Sequence, residues 1–310
     1  MAHRPPATRV LNRLRRIARA SRYALKRALG KPIRIHIENR WRLGDEIMAI
    51  PFYALLRARY PDASLTVSVN YPGLLTGMPG ISVDVDRSEF DCDLYVFGRH
   101  DARSEPRLKT LCAAGGISYE AVEPSLPAIA DRPRPHTGGS RSVACSCGAG
   151  WPCKSWSVAY LRRLAAMLRA DSPGVTFVEV GRGCAPAGIG ENLIDALPIE
   201  ETARVLSECD LYIGPDSGLV HLATAVGTPA VGLYGPVIPD VAFGPRAILH
   251  AIRSPTACQG CWTEGGMKTP GVCPLGIEGA DPEAYPCMRA LTPEIVHARI
   301  AANGLLGGRP

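Results

Sequence analysis

The sequence predicts an α/β protein made of two sheet-and-helix halves. A strand–loop–helix–strand succession over residues 33–70 has the shape of a βαβ unit, which calls for a parallel sheet. The same alternation returns between residues 142 and 234. The stretch between them, 121–142, is rich in Pro, Ser, Gly and Arg and reads as a linker. A chain of 310 residues with a 46% hydrophobic fraction suits two soluble domains of ordinary size.

The elements follow in order. Residues 8–29 predict a helix, because Val10, Leu14, Ile17, Ser21, Leu25 and Ala28 recur every three or four residues with arginines on the other faces. Pro32 ends it. Ile33–Glu38 is an apolar strand, Asn39–Gly44 a turn, and Asp45–Tyr60 a helix kinked at Pro51. Leu65–Asn70 and Leu94–Phe97 are further strands. In the second half, strands are expected at Ser142–Ser146, Val175–Val180, Leu211–Ile213 and Ala230–Tyr234. Helices are expected at Val158–Arg169, Ile199–Glu208 and Ser217–Val226. Residues 254–287, rich in Cys, Gly and Pro, are irregular. A last helix starts at Thr292-Pro293-Glu294, with Thr292 as cap and Pro293 in the first turn.

Charge is uneven. The net +6 arises from residues 1–31, which hold ten Arg and Lys and no acid, so the remaining residues sum to −4. A global basic surface for nucleic acid is therefore not expected. Two readings of the basic helix stand side by side, with a transit peptide as a weaker third: it lies on an anionic membrane surface, or it packs on its own domain. No run of about 18 apolar residues is present, and Arg interrupts every apolar stretch at the N-terminus. A cytoplasmic location is expected, with peripheral contact at the inner membrane as an option through the basic helix. The eleven cysteines then read as free thiols or metal ligands, not as a disulfide framework.

The chemistry concentrates in residues 210–236, DLYIGPDSGLVHLATAVGTPAVGLYGP. A strand runs through a small-residue turn into a helix, whose first amides have no internal partner and carry the positive end of the dipole. Ser217 and Gly218 let a phosphate approach them. Asp216 is expected to cap the helix, and His221 to point back over its start as a donor to a diphosphate. An ordinary capped helix with a packed histidine is the bland alternative.

This segment resembles the donor-site signature of glycosyltransferase family 9, the heptosyltransferases. Three other segments match in order. Leu43-Gly44-Asp45-Glu46-Ile47-Met48-Ala49-Ile50-Pro51 is similar to the family's N-terminal GD-x5-P element. Trp151-Pro152-Cys153-Lys154-Ser155-Trp156 is similar to its Lys-x-Trp element, and residues 287–294 resemble its C-terminal element. The resemblance implies a GT-B fold, two Rossmann-like domains facing a cleft. It implies a nucleotide-sugar donor of the ADP-heptose kind on the second domain and an acceptor mainly on the first.

Asp45 follows the first strand, where the ligand crevice of an α/β sheet is lined. A carboxylate there can take the proton of an attacking acceptor hydroxyl and invert the anomeric centre; the resemblance gives this residue that role. Arg40 and Arg42, just before it, could hold an anionic acceptor. Lys154 is expected to stabilise the leaving diphosphate. Gly181 is expected near the nucleotide, with Gly235 and Pro236 shaping the crevice floor. No organic cofactor and no DxD metal motif are expected.

Cys258, Cys261, Cys273 and Cys287 form C-x2-C-x11-C-x13-C. Four thiolates so spaced suit a structural Zn or Fe site, and idle thiols are the alternative. The resemblance adds that some protein-directed members of the family hold iron through a comparable set. Cys145, Cys147 and Cys153 form a second, weaker group, while Cys92, Cys112, Cys184 and Cys209 read as core or loop thiols.

The expected division is a basic helix (1–31), an acceptor-side domain (32–130), a donor-binding domain with the Cys-rich loop (131–291) and a C-terminal helix (292–310). The expected activity is inverting sugar transfer to a lipopolysaccharide or other glycan hydroxyl, with a protein acceptor as alternative. A non-catalytic nucleotide-sugar module, a same-fold epimerase and a membrane-tethered scaffold are the rivals.

Overall fold

In the computed structural model the chain forms two parallel sheets with helices packed on them. The structure describes residues 6–84, 92–97, 105–126, 129, 141–244 and 246–306. Of the linker expected over 121–142, residues 127, 128 and 130–140 fall outside this description, and the side chains of residues 6–16, Val10 and Leu14 among them, are also outside it.

The first half opens with α1 (Pro6–Ala28), β1 (Arg34–Glu38), α2 (Leu43–Met48), α3 (Ile50–Arg59) and β2 (Ser64–Ser68). β3 (Ile81–Val83), β4 (Leu94–Phe97) and α4 (Arg107–Gly115) follow. Its sheet runs β3-β2-β1-β4, all parallel. Ile35, Ile37, Leu65 and Val67 are buried in the near-continuous apolar runs that a covered parallel sheet requires. The expected helix over 45–60 is two helices meeting at Ala49. Pro51 has no amide to donate, so the α2 ladder cannot pass through it.

The second half holds β5 (Ser142–Cys145), α5 (Val158–Asp171), β6 (Thr176–Glu179), β7 (Glu191–Asn192) and α6 (Ile199–Glu208). β8 (Leu211–Pro215), α7 (Gly218–Ala225), β9 (Ala230–Tyr234), α8 (Pro239–Phe243) and β10 (Leu249–Arg253) complete its sheet region. The sheet order is β10-β9-β8-β5-β6-β7, again parallel. Every residue of β8 and β9 is buried. On α5, Leu161, Leu164, Ala165 and Leu168 form the apolar stripe, and the Ser157 hydroxyl caps the helix by accepting from the Tyr160 amide. Two short helices, α9 (Pro286–Arg289) and α10 (Pro293–Ala302), end the described chain. Thr292 stands at the N-cap of α10 but accepts no capping bond from its amides.

α1 is held at the edge of the first sheet opposite the ends of β1 and β2 that enter the cleft. Arg22 and Lys26 donate to Asp93 at 2.7 and 2.8 Å, and Tyr23 pairs with Tyr60 at 3.0 Å. Its other side exposes Ile17 and Leu25, and Leu29 just beyond the helix is exposed too. No described helix is long and apolar enough to cross a membrane. The first half is also tied to the second directly. Leu126 donates its amide to the carbonyl of Ala225, the last residue of α7, at 2.7 Å, and Glu123 accepts from the Ala247 amide at 2.8 Å.

Candidate functional site

The C-terminal ends of β1, β2, β5, β6, β8 and β9 all open on one cleft of about 1000 Å³. This is where ligands enter open α/β sheets. From the first half it is lined by Trp41, Arg42, Gly44, Asp45, Asn70 and Tyr71, and from the second by Trp151, Lys154, Gly181, Asp216, Ser217, Gly218 and His221.

Two helix starts face each other across it. A side-chain carbon at Gly44 would come within 2.8 Å of the His221 ring, and one at Gly218 within 2.8 Å of Leu43. Only hydrogen fits at either place, so the glycines let the N-termini of α2 and α7 approach closely. The start of α7 makes no side-chain capping bond, and its positive end beside the cleft favours an anion there.

Lys154 ends a short turn, Pro152–Lys154, pinned by its neighbours. Trp156 is buried and donates its indole N–H to the Leu291 carbonyl at 2.8 Å, while Trp151 lies under the Lys154 ammonium at 4.6 Å from the ring centre. The Lys154 Nζ donates to Asp216 Oδ2 at 2.8 Å. This corrects the expectation for Asp216. Ser217, not Asp216, stands at the N-cap of α7 and makes no side-chain capping bond, so the first-turn amides remain open. The Asp216 carboxylate spends its lone pairs on the lysine and fixes that cation beside the helix start.

His221 is buried on α7, edge-on to Phe243 at 4.5 Å. Burial, with help from the charges of Arg246 and Lys154, holds its pKa well below the usual 6.5. The ring is therefore neutral near pH 7, and its buried Nδ1 has no hydrogen-bond partner among the described residues. It can offer one N–H to a ligand without adding a charge.

Asp45 lies in the first turn of α2, largely buried yet on the cleft wall. Behind it sits a feature that sequence reasoning missed. Arg107 of α4 is 1% exposed and donates to Asn39 Oδ1 at 2.7 Å, and its guanidinium packs over Trp41. Its charge acts on Asp45, Tyr53 and Glu46. Nothing in the sequence around Arg107 marks it, because its partners lie some 60 residues away. Arg42 reaches over Trp151 and donates to the Gly150 carbonyl at 3.4 Å, whereas Arg40 pairs with Glu38 at 3.0 Å and does not line the cleft.

Gly235 and Pro236 do not line the cleft either; Val237 does. A side-chain carbon at Gly235 would come within 2.8 Å of Cys287 and Met288, so its smallness serves packing. The Gly235 and Pro236 carbonyls accept from the amides of Gly260 and Trp262, at 2.9 and 2.8 Å. They thereby hold the Cys-rich loop against the second sheet, and that loop supplies Trp262 to the cleft wall, edge-on to Trp151 at 5.0 Å. Trp262 was another residue without a recognisable signal.

Cys258, Cys261, Cys273 and Cys287 all pack in one apolar cluster, together with Cys153. Burial and the neighbouring sulfurs push Cys261 up to about 11 and Cys287 up to about 12, so both are thiols near neutrality. The donor set has the right chemistry for a soft cation, but among the described residues no three His, Cys, Asp or Glu side chains close on a common point as a metal site would.

Comparisons with known proteins place these features. Residues 130–264 match the model of glycosyltransferase family 9 (heptosyltransferase). Lipooligosaccharide heptosyltransferase 2 of Haemophilus influenzae is 30% identical over 119 residues, 33% of this chain and 34% of that protein. The matched stretch thus spans about a third of that relative's length. Among solved structures, iron-containing heptosyltransferase TibC from enterotoxigenic E. coli, in complex with ADP-D-beta-D-heptose, superposes with a TM-score of 0.72 at 17% identity, covering 88% of this chain and 76% of that one. E. coli ADP-heptose lipopolysaccharide heptosyltransferase II gives a TM-score of 0.63 at 17% identity over 88% and 98% of the two chains. Residues 130–264 thus resemble glycosyltransferase family 9, and the chain has the GT-B fold of the solved heptosyltransferases.

Proposed function

We propose that the protein transfers a glycosyl group, a heptose from an ADP-heptose donor, to an acceptor hydroxyl with inversion at the anomeric carbon. One observation carries the reading: a single cleft presents a carboxylate, Asp45, from one half and a fixed cation beside open helix amides, Lys154 and the start of α7, from the other.

In this mechanism the diphosphate lies against the first amides of α7, with Ser217 and Gly218 at the turn, Lys154 at its side and the His221 N–H as a further donor. Gly181 lines the part of the cleft beyond β6, where the nucleoside would extend. Asp45 accepts the proton of the acceptor hydroxyl while that oxygen bonds to the anomeric carbon. The bond from that carbon to the diphosphate breaks, and the electron pair leaves with the nucleotide. Charge then grows on the diphosphate where the cation and dipoles already stand, which is the arrangement that lowers such a barrier. Arg107 stands behind Asp45 as a buried positive charge that interacts with its carboxylate.

A glycan of the lipopolysaccharide core is the acceptor we favour. The cysteine set supports the second reading, a protein acceptor, since the solved relative TibC is described as iron-containing. We take Cys258, Cys261, Cys273 and Cys287 as the residues that would hold a Zn or Fe ion, in a structural role outside the transfer step. The exposed Ile17, Leu25 and Leu29 beside the basic residues of α1 would let the chain rest on an anionic membrane. The test is a transfer assay with ADP-heptose and heptose-deficient lipopolysaccharide or a peptide panel. Release of ADP with sugar appearing on an acceptor supports the proposal; donor binding without turnover on any acceptor sinks it.

A further inference from the structure

Glu46 follows Asp45 on α2, buried, with its carboxylate turned away from the helix. One oxygen accepts from the amides of Trp41, at 3.1 Å, and Asn70, at 2.7 Å. The other accepts from the amide of Tyr71 at 3.0 Å. Trp41 belongs to the loop after β1, and Asn70 and Tyr71 lie past the last residue of β2, beyond its ladder. The two loops are tied a second time where Asn70 Nδ2 donates to the Trp41 carbonyl at 2.7 Å. Trp41, Asn70, Tyr71 and Pro72 all line the cleft on the half that carries Asp45.

We propose that Glu46 is a positioning residue for the acceptor: its carboxylate clips the loop after β1 to the loop after β2 and so fixes the cleft wall beside Asp45. This rests on the reading of the first half as the acceptor side. A buried carboxylate is expensive unless its lone pairs are used, and here three backbone amides use them. An apolar side chain at this point of α2 would pack but would leave the Asn70 and Tyr71 amides without this acceptor. The clip therefore answers a need of the loops, not of the helix.

The ionised form accepts from all three amides; protonation converts one oxygen to a hydroxyl donor and loosens the wall. Burial pushes the Glu46 carboxyl up to about 7, with the Asp45 charge adding to the rise and the three amides opposing it. Arg107 from α4 and Tyr53 from α3 are the other titratable groups that feel its charge. The clip should thus tighten as pH rises through neutrality.

The experiment compares wild type with Glu46→Gln by hydrogen–deuterium exchange and by kinetics with ADP-heptose and heptose-deficient lipopolysaccharide. The substituted side chain cannot accept from the Tyr71 amide with its NH2 group. At pH 8 the variant should exchange the Trp41, Asn70 and Tyr71 amides about tenfold faster, with α5 unchanged, the effect of losing one charge-assisted bond. The acceptor KM should rise by a similar factor while ADP-heptose affinity stays within about twofold. In wild type the acceptor KM should also rise between pH 8 and pH 6, and in the variant it should not. Wild-type exchange at those amides, normalised to α5 between the same two pH values, decides the matter should the variant not fold. Unaltered exchange, or donor affinity falling as far as acceptor affinity, overturns the proposal. If wild type transfers nothing, the functional reading fails, and exchange alone still judges the clip.

Discussion

Removing the Asp93 carboxylate should release α1 from the body of the protein. Asp93 precedes β4, and its side chain has no exposure to solvent. It accepts from Arg22 Nε at 2.7 Å, Lys26 Nζ at 2.8 Å and the Arg34 amide at 2.9 Å. Burial alone would raise its pKa, but Lys26, the Arg34 amide and Arg22 outweigh it and hold the carboxyl at about 2, below the usual 3.8. At ~1.36 kcal/mol per tenfold step, that difference corresponds to about 2.4 kcal/mol, which screening at the half-exposed Arg22 reduces to about 2. The native carboxyl is the stronger acid, so this stability is complete above about pH 5 and fades as pH falls through 3.8 toward 2. Urea unfolding at pH 7 should show Asp93→Asn less stable by about 2 kcal/mol, and by roughly half that at pH 3. Limited proteolysis at pH 7 should cut the variant first between residues 6 and 28. Equal urea midpoints at pH 7, with α1 equally resistant, would refute the view that this buried carboxylate clamps the helix.

Other consequences follow from the same geometry. Lys154→Ala should lower kcat/KM about 100-fold or more, since a preorganised cation is lost. It should also cost roughly 1–3 kcal/mol by leaving the buried Asp216 carboxylate unpaired, read as a drop in Tm; a variant with wild-type kcat/KM would show that Lys154 does not meet the leaving group. Metal analysis of anaerobically purified protein should find about one equivalent of Zn or Fe. Cys287→Ser should lower that content and the Tm together, and metal-free protein of unchanged stability would show the four thiols to be simple core residues.

Much of this architecture was legible in the sequence because parallel strands announce themselves. Buried runs such as Ala230–Tyr234 and the bend at Asp216-Ser217 set the strand and helix order without reference to distant residues. Asp45 and His221 could be singled out because each lies at the start of a helix within a recognisable segment, and Lys154 because it lies in another such segment, in the short turn before α5. What was misread depended on long-range partners. Asp216 looked like a helix cap until Lys154, 62 residues away, was seen to take its carboxylate. Gly235 and Pro236 looked like crevice floor, but Cys287, Met288 and Trp262 surround them. Glu46 and Arg107 were silent in the sequence because their partners are loop amides and side chains from other elements. The basic helix admitted two readings, and the structure shows Arg22, Tyr23 and Lys26 docked while Ile17 and Leu25 stay exposed. Docking is thus a property of one side, and the other remains available to a membrane as proposed.

The most direct test of the account is single-turnover transfer from ADP-heptose by wild type and Asp45→Asn, with donor affinity measured on both. The proposal that Asp45 accepts the acceptor proton predicts a rate lowered about 100- to 10,000-fold with donor affinity unchanged. Transfer by Asp45→Asn at the wild-type rate would contradict it and leave the cleft as a donor site whose base lies elsewhere.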